Sequence, residues 1–172
     1  MTESQSQISV QSTEELFQAY DNLGTDEKLA LLYYIYEKMG DSVTPAAPNA
    51  AEPDLAGNII TDLYGLSHED QLNAMREIVD GADTQISRLY GGLADKNQLF
   101  IWYAWAEEMG NRVVDMPQGY QATETIKQIL SQIERIDFQA QISFLKAAAS
   151  AMGYSEISRP PSQAETGKTS SL

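Results

Sequence analysis

Residues 29–40 read LALLYYIYEKMG and residues 99–110 read LFIWYAWAEEMG. Both stretches are dense in aromatic side chains and both end in Met-Gly. Aligned without a gap, they pair Leu29 with Leu99, Tyr33 with Tyr103, Glu37 with Glu107, Met39 with Met109 and Gly40 with Gly110, a constant offset of 70 positions (99 less 29). The same offset pairs Ile59 with Ile129, Leu63 with Ile133, Gln71 with Gln141, Leu72 with Ile142 and Met75 with Leu145, and sets Val43–Pro48 against Val113–Gln118. Any two amphipathic helices align at some offset. One offset shared by several helices and a connector indicates an internal duplication. Two related helical halves must then pack on each other, and aromatic helices facing across the junction can line a long apolar site.

Helix signals recur along the chain and strand signals do not, so the expected class is all-α. In the first aromatic stretch Leu29, Leu32, Tyr33, Tyr36 and Met39 fall at three-and-four spacing on one face, with Glu27, Lys28, Glu37 and Lys38 largely away from it. Ser12 with Glu15 makes a capping box ahead of a helix over 16–23, which Gly24 stops. Thr25, Asp26 and Glu27 open the next helix, and Gly40 is expected to end it. Residues 41–53, with Pro45, Pro48 and Pro53, read as a connector without regular structure. Further helices are expected over 54–64, 68–80, 84–93, 96–109, 124–133 and 138–152, with Ser67, Asp83, Asp95, Thr123 and Asp137 as N-caps. Residues 1–11 read as a flexible arm, 12–154 as one helical domain, and 155–172, which hold Pro160, Pro161 and many Ser and Thr, as a disordered tail.

Composition removes several classes of function. Cysteine is absent, which excludes disulfides, thiolate metal sites and a cysteine nucleophile. The 25 acidic residues outnumber the 11 basic ones and give a net charge of −14, which argues against nucleic acid or an anionic bilayer as partner. The start is polar and no run approaches membrane-spanning length, so no integral membrane segment is expected and the location is expected to be cytoplasmic. His68, the single histidine, sits beside Glu69 and Asp70 in an expected first helical turn, where it reads as a surface residue. There is no Walker loop, no dinucleotide fingerprint and no nucleophile elbow. Glu107 and Glu108 are adjacent on a helix and point about 100° apart, so they cannot face each other as acid and base. No metal site and no enzymatic activity are expected.

Large polarisable side chains remain. Trp102 and Trp105 share a face, as do Tyr33 and Tyr36, and Tyr103 joins Ala106 and Met109. A stripe of this kind is more often core than site. Buried tyrosines need hydroxyl partners, however, which makes Tyr a costly filler unless a hydroxyl borders a ligand or water. Flat rings with methionine among them suit an elongated conjugated hydrocarbon held by dispersion and stacking.

The run LGTDEKLALLYYIYEKMG with VTPAAP, then ADT, LFIWYAWAEEMG and PQGYQ, and the late AMGY, resembles the all-helical carotenoid-binding domain of the cyanobacterial orange carotenoid protein family, from Thr13 to Tyr154. Within the family it looks most like the stand-alone helical carotenoid proteins. The resemblance implies two interleaved, discontinuous four-helix bundles with a keto-carotenoid of the canthaxanthin or echinenone class threaded between them. Carried over by position, it implies pigment contacts at Leu29, Leu32, Tyr33, Tyr36, Met75, Leu99, Trp102, Tyr103, Ala106, Met109, Met116, Pro117 and Tyr120. Tyr33 stands where the family often has tryptophan, and Ala106 where it has glycine, which narrows the implied tunnel by a methyl group. Lys146 stands where full-length members have an arginine used in domain docking and in engaging the phycobilisome, and lysine lacks arginine's planar fork. Arg76 replaces a small neutral residue. The resemblance thus implies photoprotection by singlet-oxygen quenching or carotenoid carriage. The alternatives are a phycobilisome-binding energy quencher at the thylakoid-surface antenna and an apo interaction scaffold. Implied partners are the carotenoid, a C-terminal-domain-like carotenoid donor or the phycobilisome, with the chain a monomer or weak dimer.

Overall fold

The structure, a computed structural model, describes residues 13–43 and 53–155, and side chains at 13–39 and 56–155. The expected arm at 1–11, the greater part of the 41–53 connector and the tail beyond Ser155 lie outside the described residues. The helices are α1 (13–21), α2 (Thr25–Val43), α3 (Pro53–Tyr64), α4 (His68–Asp80), α5 (Gln85–Gly91), α6 (Asp95–Glu107), α7 (Glu124–Arg135) and α8 (Phe138–Ser150). Among the described residues the one bridge of strand type is the isolated pair Met109 and Val113. No described helix is long and apolar enough to cross a membrane. The all-α class holds.

Most helices begin where the sequence supplies an acceptor for an orphan amide. Ser67 Oγ accepts from Asp70 N at 3.1 Å, Thr123 Oγ1 from Ile126 N at 3.2 Å and Asp137 Oδ1 from Ala140 N at 2.8 Å. Glu27 at the third position of α2 reaches back so that Oε1 accepts from Gly24 N at 3.1 Å. Two expected caps are corrected. Thr84 rather than Asp83 caps α5, accepting from Ser87 N at 3.4 Å, because the Asp83 carboxylate is drawn into an ion pair with Arg88. Ala94 rather than Asp95 holds the cap position of α6, without a side-chain bond, and Asp95 falls in the first turn, where its charge suits the helix dipole.

A third correction concerns Gly40. α2 runs through it to Val43, since a glycine inside a helix costs only about 1 kcal/mol relative to alanine and does not break the hydrogen-bond ladder. Its repeat mate Gly110 does not end α6 either, since that helix stops at Glu107, short of the expected 109, with Glu108 as its C-cap. Gly110 takes φ +83°, and its N–H donates to Val113 O at 2.9 Å, turning the chain within the 108–123 loop.

The offset of 70 is a structural repeat. α4 and α8 start and end at equivalent positions, as do the starts of α2 and α6. Gln71 Nε2 donates to Leu63 O at 3.1 Å, and its mate Gln141 Nε2 donates to Ile133 O at 2.9 Å. The mates Leu31 and Ile101, Leu32 and Trp102, Ile35 and Trp105, and Tyr20 and Tyr90 are all buried, so the repeat reaches back to α1 and α5.

The two repeats do not form separate bundles. α2 packs on α4 and α7, and α4 packs on α5; equivalently α6 packs on α8 and α3, and Tyr20 of α1 meets Phe144 of α8 edge to face at 5.8 Å. Each bundle therefore takes the second and fourth helices of one repeat and the first and third of the other. One bundle is α2, α4, α5 and α7; the other is α1, α3, α6 and α8. Contacts of α2 with α6 and α8, and of α3 with α4 and α5, join them. Trp105, 1% exposed, seals the second bundle by donating Nε1–H to Ile60 O at 3.3 Å. The exchange brings the twin aromatic helices α2 and α6 together at the junction.

Candidate functional site

A cavity of about 240 Å³ lies at that junction. α2 contributes Asp26, Leu29, Ala30, Leu32, Tyr33 and Tyr36. α4 contributes Leu72, Met75 and Arg76, and α6 contributes Trp102, Trp105 and Ala106. The 108–123 loop closes it with Met109, Val113, Val114, Asp115, Met116, Pro117 and Tyr120. A second hollow of about 320 Å³ adjoins it, sharing Tyr33, Tyr36, Ala106, Met109 and Asp115 and adding Glu37, Tyr103 and Glu107.

The loop is held in place from below. Gln71, 1% exposed, donates Nε2–H to Arg112 O at 2.8 Å and accepts from Val114 N at 2.7 Å through Oε1. Beyond it, Met116 N donates to Asp115 Oδ1 at 2.7 Å and Tyr120 N to Pro117 O at 3.1 Å. A glutamine that also caps Leu63 O thus ties the cavity roof to α3 and α4.

The aromatic wall is fixed by polar contacts behind it. Trp102 Nε1–H donates to Tyr90 Oη at 2.9 Å, and Tyr90 donates in turn to Ala149 O at 2.7 Å, so both buried polar groups are satisfied. Trp102 and Trp105 meet edge to face with centroids 5.3 Å apart. Burial pushes the Tyr36 and Tyr90 hydroxyls well above the usual phenol value. The Tyr33 hydroxyl is raised by burial and by the Glu37 and Asp115 carboxylates, that of Tyr103 by burial and Glu107, and that of Tyr120 by burial and by Tyr34, Glu27 and Asp26. The wall stays neutral and protonated at ordinary pH.

Of the thirteen site residues read from the sequence, the structure brings twelve to these confluent hollows. Tyr103 is on the second hollow only. Leu99 is buried in the core, 4% exposed, and does not line either. The sequence reading left out of its site Asp26, Ala30, Leu72, Arg76, Trp105, Val113, Val114 and Asp115. Helical spacing could have found some of them: Leu72 and Arg76 flank Met75 on one face, and Trp105 lies one turn beyond Trp102. Val113 to Asp115 carry no such signal, because a loop's approach to a cavity depends on its anchor at Gln71.

The lining suits a flat apolar ligand. Rings, aliphatic groups and methionines form most of it, and its charged groups lie at Asp26, Arg76 and Asp115. Among the described residues no cluster of three or more His, Cys, Asp or Glu is placed to hold a metal.

Known proteins share this arrangement. A family profile described as "Orange carotenoid protein, N-terminal" matches residues 5–155. An "Orange carotenoid-binding domain-containing protein" of Nostoc sp. PCC 7120 is 38% identical over 145 residues, covering 84% of this chain and 83% of that protein. The "Orange carotenoid-binding protein" of Synechocystis sp. PCC 6803 is 31% identical over 78% of this chain, which spans 43% of that protein's length. Among solved structures, the Anabaena (Nostoc) sp. PCC 7120 Red Carotenoid Protein binding canthaxanthin superposes with a TM-score of 0.75 at 30% identity, over 83% of this chain and 99% of that one. With the profile spanning the whole described fold and the interleaved helices superposing on a solved member, this chain belongs to the family of the orange carotenoid protein N-terminal domain.

Proposed function

We propose that the chain binds a keto-carotenoid of the canthaxanthin class, without a covalent bond, in the hollow between α2 and α6. Its role is photoprotective, by quenching singlet oxygen or by carrying the pigment. The observation that carries this reading is the continuous apolar wall of Leu29, Leu32, Tyr36, Met75, Trp102 and Met109 at the bundle junction. Support comes from a relative of the same fold whose structure is described as binding canthaxanthin. The wall binds by dispersion and stacking over a long contact, the mode open to a conjugated hydrocarbon. Tyr90 and Ile60 O hold the two indoles in orientation, so little ordering remains to oppose binding. A bound polyene supplies a low-lying excited state that takes energy from excited oxygen and sheds it as heat. That work needs no acid, base or metal from the protein.

The two tryptophans of the chain both line the hollow, which gives a direct test. Titrating purified apoprotein with canthaxanthin should quench its tryptophan emission to saturation near one pigment per chain, and the loaded protein should shorten the lifetime of singlet-oxygen luminescence. Unchanged emission at pigment excess would defeat the binding; an unchanged luminescence lifetime with pigment bound would defeat the scavenging role and leave carriage. Loss of fluorescence from isolated phycobilisomes on adding loaded protein would instead assign an antenna-quenching role.

A further inference from the structure

The two ends of the hollow differ in hydrogen-bonding character. At one end the Arg76 guanidinium lies between α4 and α2. Its Nε–H donates to Asp26 Oδ1 at 2.8 Å, its Nη2 to Asp26 Oδ2 at 3.1 Å and its Nη1 to Asn73 Oδ1 at 3.2 Å. Three of the five guanidinium N–H groups are thus engaged, which leaves two. At the other end Glu37, Glu107 and Asp115 ring Tyr33 and Tyr103, and Tyr33 donates its hydroxyl to Glu37 at 3.3 Å. Carboxylates only accept, which leaves the Tyr103 hydroxyl as a single neutral donor among three carboxylates. Among the described residues neither Lys nor Arg lines that end.

We infer that Arg76 is a specificity residue for the oxygenated end of the pigment, its two remaining N–H groups receiving the keto oxygen of a terminal ring. The inference rests on the carotenoid-binding reading and goes beyond it, since it fixes both a preference and a direction. A ketone accepts and has no proton to give, so the two charge-assisted donors of Arg76 complement it better than the one neutral Tyr103 hydroxyl among three carboxylates. A pigment with one oxygenated ring therefore enters with that ring at Arg76. Asp26 cancels the charge of the guanidinium without using up its donors, so the end recognises a neutral acceptor and does not attract an anion. A hydrocarbon ring at the same place leaves those N–H groups to water. Arg76 and Asp26 are partly exposed, with side chains 39% and 61% accessible, so the pair adds little to folding and Arg76 can be replaced without loss of the fold.

The test is competitive loading. Apoprotein is given equal amounts of canthaxanthin and β-carotene, which has the same polyene without ring oxygens, and the bound pigments are extracted and quantified. The native chain should favour canthaxanthin. In Arg76→Leu the bound ratio of canthaxanthin to β-carotene should fall roughly five- to tenfold, the scale of one charge-assisted hydrogen bond at a wet site. Arg76→Gln keeps N–H groups and should fall less; it also decides the matter should Arg76→Leu lose its helical circular dichroism. Hydrogen bonding to a conjugated carbonyl stabilises electron density moved onto oxygen on excitation. The visible band of the canthaxanthin-loaded Leu variant should therefore shift to the blue, while the β-carotene-loaded band stays in place. Equal ratios and unmoved bands in native and variant proteins overturn the inference and leave pigment binding intact. A native chain that takes up neither pigment overturns the inference together with the reading beneath it.

Discussion

Tyr20 and Tyr90 are repeat mates, both buried to within 1% of full enclosure, yet their hydroxyls fare differently. Tyr90 Oη joins Trp102 Nε1 to Ala149 O, whereas Tyr20 Oη has no hydrogen-bond partner among the described residues. Removing the Tyr90 hydroxyl strands the Trp102 indole N–H and takes one of the hydrogen bonds from Ala149 O, which keeps that of Met152 N, so Tyr90→Phe should destabilise the fold by about 2 kcal/mol. Tyr20→Phe removes an unsatisfied group and should be neutral or stabilising by up to about 1 kcal/mol. Urea denaturation of the two variants checks the contrast, and equal losses would contradict it. This pair also shows what the sequence carries at residue scale. Helical spacing places Tyr33, Tyr36 and Trp102 on one wall, but it does not say which hydroxyls are satisfied, because the partners of Tyr90 lie 12 and 59 residues away.

At the scale of elements, boundaries were legible wherever a cap residue is both present and free to act. Ser67, Thr123 and Asp137 act as read, and Asp83 is taken by Arg88. The twin Met-Gly dipeptides show the limit of local reading, since one lies inside α2 and the other falls beyond the end of α6, where Gly110 turns the loop at φ +83°. The repeat mates Gln71 and Gln141 share one bond to the preceding helix, but Gln71 has two more that hold the 108–123 loop. Gln71→Met should therefore cost about 2–3 kcal/mol and Gln141→Met about 1 kcal/mol. Only the first should speed proteolysis within 108–123. Similar cleavage rates in the two variants would remove the loop from the account. Gly110→Ala must place a side chain at φ +83°, with its Cβ 3.4 Å from Asp115 Oδ2, and should lower stability by about 1 kcal/mol in thermal melts.

For the molecule as a whole, the offset of 70 made two related halves legible, and the resemblance to a known family supplied their interleaving. The exchange of α1 and α3 against α5 and α7 depends on long-range packing that no local pattern encodes. It is this exchange that sets the two aromatic helices face to face. The buried phenols give the molecule a pH limit. Burial raises the hydroxyls of Tyr36 and Tyr90 above the ordinary value of 10.0, so between that value and their folded-state values the unfolded chain is the one that loses the protons. Their stabilising contribution is thus complete below pH 10.0 and falls as pH rises beyond it. Alkaline titration should show tyrosinate absorbance rising together with loss of helical circular dichroism. A rise for all nine tyrosines near pH 10.0 with the helices intact would show that the wall is open to water.

The pigment site proposed for this chain lies at the junction of α2 and α6. It is tested most directly by the visible absorption spectrum of the protein purified from cells that make keto-carotenoids. A structured or broadened visible band should co-elute with the chain and be retained through gel filtration. A colourless protein from pigmented cells would contradict it.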